Sequence, residues 1–321
     1  MPDISVFVEC DDGVLNDVSL QCLGAARARA AGGKVRCLAA GSGVSAPAAA
    51  LFALGADEVS VCDDPRLAAY TLRPYRKAVT AWLAASPPAL ALFGATTLGN
   101  DLAPSVAAAM KAACALSVDG IDAADGGFRA RRIEFDRKVQ TSFAPSQGGL
   151  FVVSLRDGAA AVPEADASKT GTPQPLAVDL NDTDLTAKVL QRAVAKKTVN
   201  LKDAPIIVAA GAGVGNPDGL AIVRQLADAL GAEIGATRAV VDAGWLPADH
   251  QIGQTGATVR PDLYIACGIS GAVQHRVGMM DARKIIAINS DANAPIFKVA
   301  HYQIVGDLKV VIPKLIKALA S

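Results

Sequence analysis

Through the first half of the chain, apolar β-branched runs alternate with Ala-rich helical segments, and this alternation constrains the fold more than any other feature. Residues 4–10, ISVFVEC, read as a strand, and 17–31 read as a helix stopped by Gly32 and Gly33. The order returns as strand 34–41 (KVRCLAAG), helix 47–54, strand 58–63 (EVSVCD), helix 67–85, strand 89–96 (ALALFGAT) and helix 101–113. Strands that alternate with helices in this way predict an α/β fold with a mostly parallel sheet. Residues 89–93 are apolar at every position, which suits a strand buried on both faces. Beyond Leu116 the pattern changes: 128–135 (FRARRIEF), 138–143 (KVQTSF) and 149–155 (GLFVVSL) are short and β-rich, and they predict antiparallel strands added at one edge.

At 321 residues the chain exceeds the size at which single cores stop growing, so two domains are expected. Residues 156–182 are rich in Ala, Pro, Asp, Thr and Gly with little periodicity, which is connector chemistry. Thr183 can cap a helix whose Leu185, Val189 and Val194 recur at helical spacing, with Lys196 and Lys197 at its negative end. The expected division is therefore an N-terminal α/β domain over 1–156, a linker and helix over 157–200, and a doubly wound domain over 201–321.

Hydrophobic residues make up 51% of the chain and aromatics only 4%, so the core must be built from Ala, Val, Leu and Ile. Basic and acidic residues balance at 31 each, and no dense Lys/Arg run could track a phosphate backbone, so nucleic acid is not an expected partner. The six cysteines carry no CxxC pair and read as reduced core thiols, which points to a cytoplasmic protein. Neither a secretory leader nor an apolar run of membrane-spanning length is present in the sequence, so a soluble protein without direct membrane insertion is expected.

Glycine loops follow two strands of the first half, at 41–43 and 94–100. Loops at the carboxyl ends of parallel strands are where such sheets bind ligands, but neither has the GxxxxGK[ST] spacing, and tight turns are the plainer reading. In the second half, PIIVAAG (205–211) is a buried strand, and Asn216 with Pro217 supplies an N-cap and a first-turn proline. Gly211, Gly213 and Gly215 between them give GxGxG, with Asn216 where the last glycine of the dinucleotide fingerprint should fall, which argues against an NAD-dependent dehydrogenase. Ser270 lies in GISGA, where Ala272 breaks nucleophile-elbow spacing, and His250, His275 and His301 have no metal-ligand spacing. What is left is a polar, mostly uncharged set, suited to holding a large ligand through backbone and amide hydrogen bonds and tuning its electronics.

The order GATRAVVDAGW (235–245), QIGQTG (251–256), LYIACGISGAVQH (263–275), AIN, APIF and IVGDL closely resembles the FAD domain of the electron transfer flavoprotein α subunit. The likeness is strong over 205–320, and in the first half it extends to the order of elements and the lead-in ISVFVE. It implies a heterodimer with a β subunit and FAD held mainly by the C-terminal domain, the N-terminal domain packing on the partner. It also implies an electron carrier and not an enzyme, taking electrons from acyl-CoA or related dehydrogenases, as in fatty acid oxidation, to a membrane quinone oxidoreductase. An alternative within the family is an α subunit of a flavin-based bifurcating complex that oxidises NADH through a second FAD in the β subunit.

Position by position, the resemblance puts the Thr237 hydroxyl at phosphate and the Arg238 guanidinium near the isoalloxazine. Gln251, Ile252, Gly253, Gln254 and Thr255 match the loop along the flavin, with the Thr255 hydroxyl reaching N5. Ser270, Gly271, Ala272, Val273, Gln274 and His275 match a turn facing pyrophosphate, with His275 approaching the flavin O2. Asn289, Asp307 and Leu308 match positions lining the adenosine end. Arg238 and His275 are then the fixed donors expected to meet negative charge along N1 and O2 of the reduced ring. Taken singly, a lone Arg before a strand is usually a surface group and a lone His after one a core or capping residue; the functional reading rests on the whole set. One departure stands out: Ala212 occupies a glycine-loop position where the family usually carries an Arg toward the cofactor phosphate.

Overall fold

The computed structural model describes residues 3–124, 127–135, 138–146, 148–192 and 199–319. Its contacts divide the chain into two compact units, Met1–Arg192 and Ala193–Ser321.

The first unit runs β1 (Ile4–Val8), β2 (Cys10–Asp11), β3 (Val14–Leu15), α1 (Asp17–Arg29), β4 (Val35–Gly41), α2 (Ser45–Ala48), α3 (Ala50–Ala53), β5 (Glu58–Asp63), α4 (Leu72–Ala85), β6 (Leu90–Gly94), α5 (Thr97–Met110) and β7 (Ala113–Val118). It continues with β8 (Gly120–Ala124), β9 (Gly127–Glu134), β10 (Val139–Phe143), β11 (Phe151–Leu155) and β12 (Gln174–Pro175). Seven strands form one parallel sheet in the order β12-β5-β4-β1-β6-β11-β7, as the strand and helix alternation predicts. Side chains alternate across it: Ile4, Val6 and Val8 of β1 enter the core shared with Cys22, Leu23 and Ala26 of α1, while Phe7 enters the opposite core with Trp82 of α4 and Val106 of α5. Burial on both faces is why these strands read as unbroken apolar runs.

Three expectations change. GLFVVSL is not an antiparallel edge strand: β11 lies between β6 and β7, parallel to both and buried throughout, and a sequence apolar but for Ser154 is that of an interior strand. Of the strands beyond Leu116, β8, β9 and β10 are antiparallel, and they form a separate three-stranded sheet; β2 and β3 make a further antiparallel pair. No helix forms over 183–192, and 193–198 lie outside the described residues. Leu190 there is 90% exposed, and a helix this short without a packing face is marginal in water. The connector does more than span a gap, since β12 pairs in parallel with β5 through Gln174 and Pro175.

The carboxyl end of the first sheet satisfies its own polar groups. The turn after β4 directs the N–H groups of Gly43 and Ser45 and the Ser45 hydroxyl at the Asp63 carboxylate, at 2.7, 3.1 and 2.6 Å. Those hydrogen bonds, the Ser45 hydroxyl's first, hold Asp63 below the usual carboxylate range. Beside it, Thr96 caps α5 through the Gly99 N–H and donates its hydroxyl to Glu9 at 2.6 Å. The glycine loop at 41–43 is thus a turn that binds the chain's own Asp63, whereas 97–100 of the second loop form the first turn of α5.

The second unit contains β13 (Ile206–Ala210), α6 (Pro217–Leu230), β14 (Glu233–Ala236), α7 (Arg238–Asp242), β15 (Leu263–Cys267), α8 (Val273–Arg276), β16 (Lys284–Asn289), β17 (Tyr302–Val305) and α9 (Leu308–Leu319). Its sheet is parallel in the order β14-β13-β15-β16-β17. Asn216 caps α6 by accepting from the Gly219 N–H at 2.9 Å, with Pro217 in the first turn and Gly231 left-handed at the far end. On one face the core joins Val223 and Leu226 of α6 to Ile312 of α9; on the other it joins Ile207, Tyr264 and Ile285 to Ile252, Met279 and Ile296. The chain reverses direction across the sheet between β13 and β15, and ligands of open α/β sheets bind in the crevice at such a switch point.

Candidate functional site

A cavity of about 620 Å³ opens at the carboxyl ends of β13 to β16, inside the range of roughly 300–1,000 Å³ typical of small-molecule and cofactor sites. Each strand delivers one wall: Ala212 and Gly213 after β13, Thr237 to Ala239 after β14, Gly268 to Ser270 after β15, and Asn289 with Asp291 after β16. The loop from Gln251 to Thr255 closes the remaining side. It is held to the sheet by the Ile252 N–H, which donates to the Ala236 carbonyl at 2.9 Å, and by the Gln254 N–H, which donates to the Gln274 carbonyl at 2.7 Å.

Of the residues that the resemblance singles out, the structure gathers Thr237, Arg238, Gln251, Ile252, Gly253, Gln254, Thr255, Ser270, Ala272, Gln274, His275 and Asn289 around this one cavity. Gly271, Val273, Asp307 and Leu308 are not in its wall. Gly271 turns the chain at φ +85°, where a Cβ would lie 2.2 Å from the Ile296 nitrogen. Val273 begins α8 and is 41% exposed. Asp307 accepts from the Lys309 N–H at the start of α9 and Leu308 is buried in the core, one strand further out than Asn289.

The donor set is uneven in its commitments. The Thr237 hydroxyl is buried and has no hydrogen-bond partner, although Thr237 stands at the head of α7. A buried hydroxyl left unpaired costs free energy, so this atom fits a ligand oxygen in the cavity. Gln251 donates its amide N–H to the Thr255 oxygen at 2.9 Å, which leaves the Thr255 proton free to donate elsewhere. Arg238 is 70% exposed and meets Asp242 one turn along α7 at 3.3 Å. Asn289 helps to shape the wall: its amide donates to the Ile269 carbonyl and its oxygen accepts from the Asp291 N–H, both at 2.9 Å.

His275 differs from expectation. Nδ1 lies 3.0 Å from the Ile252 carbonyl and Nε2 3.0 Å from the Tyr264 hydroxyl, so both ring nitrogens are engaged inside the protein. Burial pushes its pKa down to about 4, and the ring is neutral at pH 7. It therefore brings no positive charge to the cavity, where Arg238 and Asp291 are the charged side chains among the described residues. The Cys267 thiol beneath the floor is pushed up to about 12 by burial and is inert as a nucleophile.

Sequence reasoning passed over Gly213, Ala239, Gly268, Ile269, Asp291, Ala294 and Pro295 as wall residues. The available signal was positional, since Gly268, Ile269 and Asp291 all fall within two residues of the carboxyl ends of β15 and β16, which are apolar runs in the sequence.

This geometry fits a large ligand: close-packed glycines, an unpaired hydroxyl, backbone turns and one cation line a cavity whose wall is otherwise mostly apolar. A family model described as electron transfer flavoprotein domain matches residues 4–181. A second, described as electron transfer flavoprotein FAD-binding domain, matches residues 200–280. The chain is 41% identical to the electron transfer flavoprotein subunit alpha of Thermoanaerobacterium thermosaccharolyticum over 98% of its own length and 97% of that protein's. It is 39% identical to Protein FixB of Clostridium saccharobutylicum over 97% and 94% of the two chains, and 37% identical to the electron transfer flavoprotein subunit alpha of Bacillus subtilis over 97% and 95%.

Proposed function

Because the chain belongs to the electron transfer flavoprotein α-subunit family, we propose that its second unit holds FAD in the cavity at the ends of β13 to β16 and that it works as an electron carrier paired with a β subunit. The observation that carries this reading is the convergence of the TRA, QIGQT and GISGAVQH segments on one cavity that leaves a buried hydroxyl, Thr237, without a partner. FAD supplies the redox chemistry when bound, accepting and releasing electrons one or two at a time.

The side chains of this chain bind and bias it. Thr237 and the backbone of the glycine turns would hold the phosphates, the close approach of Gly211 to Gly268 leaving backbone and no side chain there. Thr255, oriented by the amide of Gln251, offers its proton to an acceptor on the ring. Arg238 would supply a cation at the cavity wall toward a bound flavin; its exposure in this chain would make that interaction weaker than a buried pair and dependent on what the β subunit covers. His275 acts as a neutral wall and support.

Acyl-CoA or related dehydrogenases are the donors and a membrane quinone oxidoreductase the acceptor in this reading. Co-expression with the β subunit tests it: the purified pair should carry FAD, and mixing it with a reduced acyl-CoA dehydrogenase should bleach the flavin. A colourless pair sinks the cofactor assignment, and bleaching by NADH instead turns the reading to the bifurcating alternative.

A further inference from the structure

Tyr264 lies in the middle of the second sheet with no solvent exposure, packed among Ile207, Ile252 and Ile285. Its hydroxyl meets one partner, His275 Nε2 at 3.0 Å. On the other side of the same imidazole, Nδ1 lies 3.0 Å from the Ile252 carbonyl oxygen. A carbonyl oxygen can only accept, so Nδ1 of the neutral ring carries the proton, and Nε2 is left as an acceptor facing the one donor within reach, the Tyr264 O–H. The hydrogen bonds therefore run in one direction, from Tyr264 through His275 to Ile252, and tie β15, α8 and the loop from Gln251 to Thr255 together.

That loop has little slack. A Cβ at Gly253 would lie 2.6 Å from the Gln274 carbonyl oxygen, and the Gln254 N–H already donates to that oxygen at 2.7 Å. A rotation of the His275 ring would release the Ile252 carbonyl and shift the segment that carries Gln251 and Thr255 to the cavity.

We propose that Tyr264 is a positioning residue of this site: with the Ile252 carbonyl setting the Nδ1–H tautomer of His275, the Tyr264 hydroxyl donates to Nε2 and holds the ring in that state and plane, and through His275 it holds the placement of the loop bearing Gln251 and Thr255. The consequence for the flavin rests on the cofactor reading above, whereas the tautomer is a property of the chain itself.

The test is ¹⁵N NMR of the α chain labelled at histidine rings and paired with its β subunit. The chain has only three histidines, and the His275 signals are assigned by their absence in His275→Asn. The parent should show His275 with the proton on Nδ1 alone. In Tyr264→Phe, which keeps the ring and removes the donor, that single-tautomer signature should give way to exchange or protonation near neutrality, and the flavin potential should move while flavin content stays near parental. An Nε2–H tautomer in the parent overturns the proposal even if Tyr264→Phe does not fold. So does a folded Tyr264→Phe with the parental tautomer and potential. A parent with the expected tautomer but no bound flavin would count against the cofactor reading and leave the positioning role standing.

Discussion

Gly211 and Gly268 cross so closely that a Cβ built on Gly211 would lie 2.3 Å from the Gly268 carbonyl oxygen. The Gly213 N–H donates to that same oxygen at 2.9 Å, so the turns after β13 and β15 are pinned to each other under the cavity. Gly211→Ala should force them apart at a cost of roughly 3 kcal/mol, since the obstacle is backbone and cannot rotate away. Urea unfolding should show the loss of stability and flavin should leak from the paired protein; a variant with parental stability would mean the two turns are not locked.

Ala212 is exposed on the cavity wall, at the position where the resemblance implies an Arg. Ala212→Arg should tighten FAD by about tenfold or more, because one charge-assisted hydrogen bond to phosphate is worth roughly 1.5 to 3 kcal/mol. Flavin fluorescence during dilution of the pair reads the dissociation constant. No tightening would place the phosphates away from the turn after β13.

Thr255→Val keeps the shape of the side chain and removes its proton. Flavin content should change little, while the potentials of the bound flavin shift, with a single lost hydrogen bond of about 1 kcal/mol corresponding to roughly 40 mV in a one-electron couple. Reductive titration checks this. If FAD is simply lost with unchanged potentials in what remains, Thr255 acts by packing.

His275 gives the second unit an acid sensitivity with a definite sign. Its pKa falls from the ordinary 6.5 to about 4 on folding, because burial disfavours the charged ring. Between those values the unfolded chain binds more protons than the folded one, so the contribution is fully present above about pH 6.5 and is lost as pH falls through the folded value near 4. The ceiling is about 3 kcal/mol. Denaturation midpoints measured from pH 7 to pH 4 should fall less steeply for His275→Asn than for the parent, and parallel curves would show that the buried ring does not govern the effect.

The strand and helix order from β1 to α5 was legible because buried parallel strands write themselves as apolar runs between helical segments, and in the second unit β13 and the start of α6, marked to the residue by Asn216 with Pro217, were legible in the same way. β11 was misread because a short apolar run carries no record of its direction; only its neighbours β6 and β7 decide that. The expected helix from Thr183 failed because spacing such as that of Leu185 and Val189 describes a face but not whether anything covers it. In the site, ordered motifs identified twelve wall residues, whereas the charge state of His275 was invisible, since it depends on Tyr264 and Ile252 closing around it in three dimensions.

The pairing of β12 with β5 has a consequence for handling the protein. A terminal strand with free N–H and C=O groups invites other chains to add to it and grow into aggregates. Here the middle of that rim, Ser60 and Val61, is covered by two residues, one of them Pro175, which has no N–H to offer. Shortened forms of the first unit must therefore end beyond Pro175, because trimming the connector earlier would strip β5 of that cover and leave a more adhesive rim.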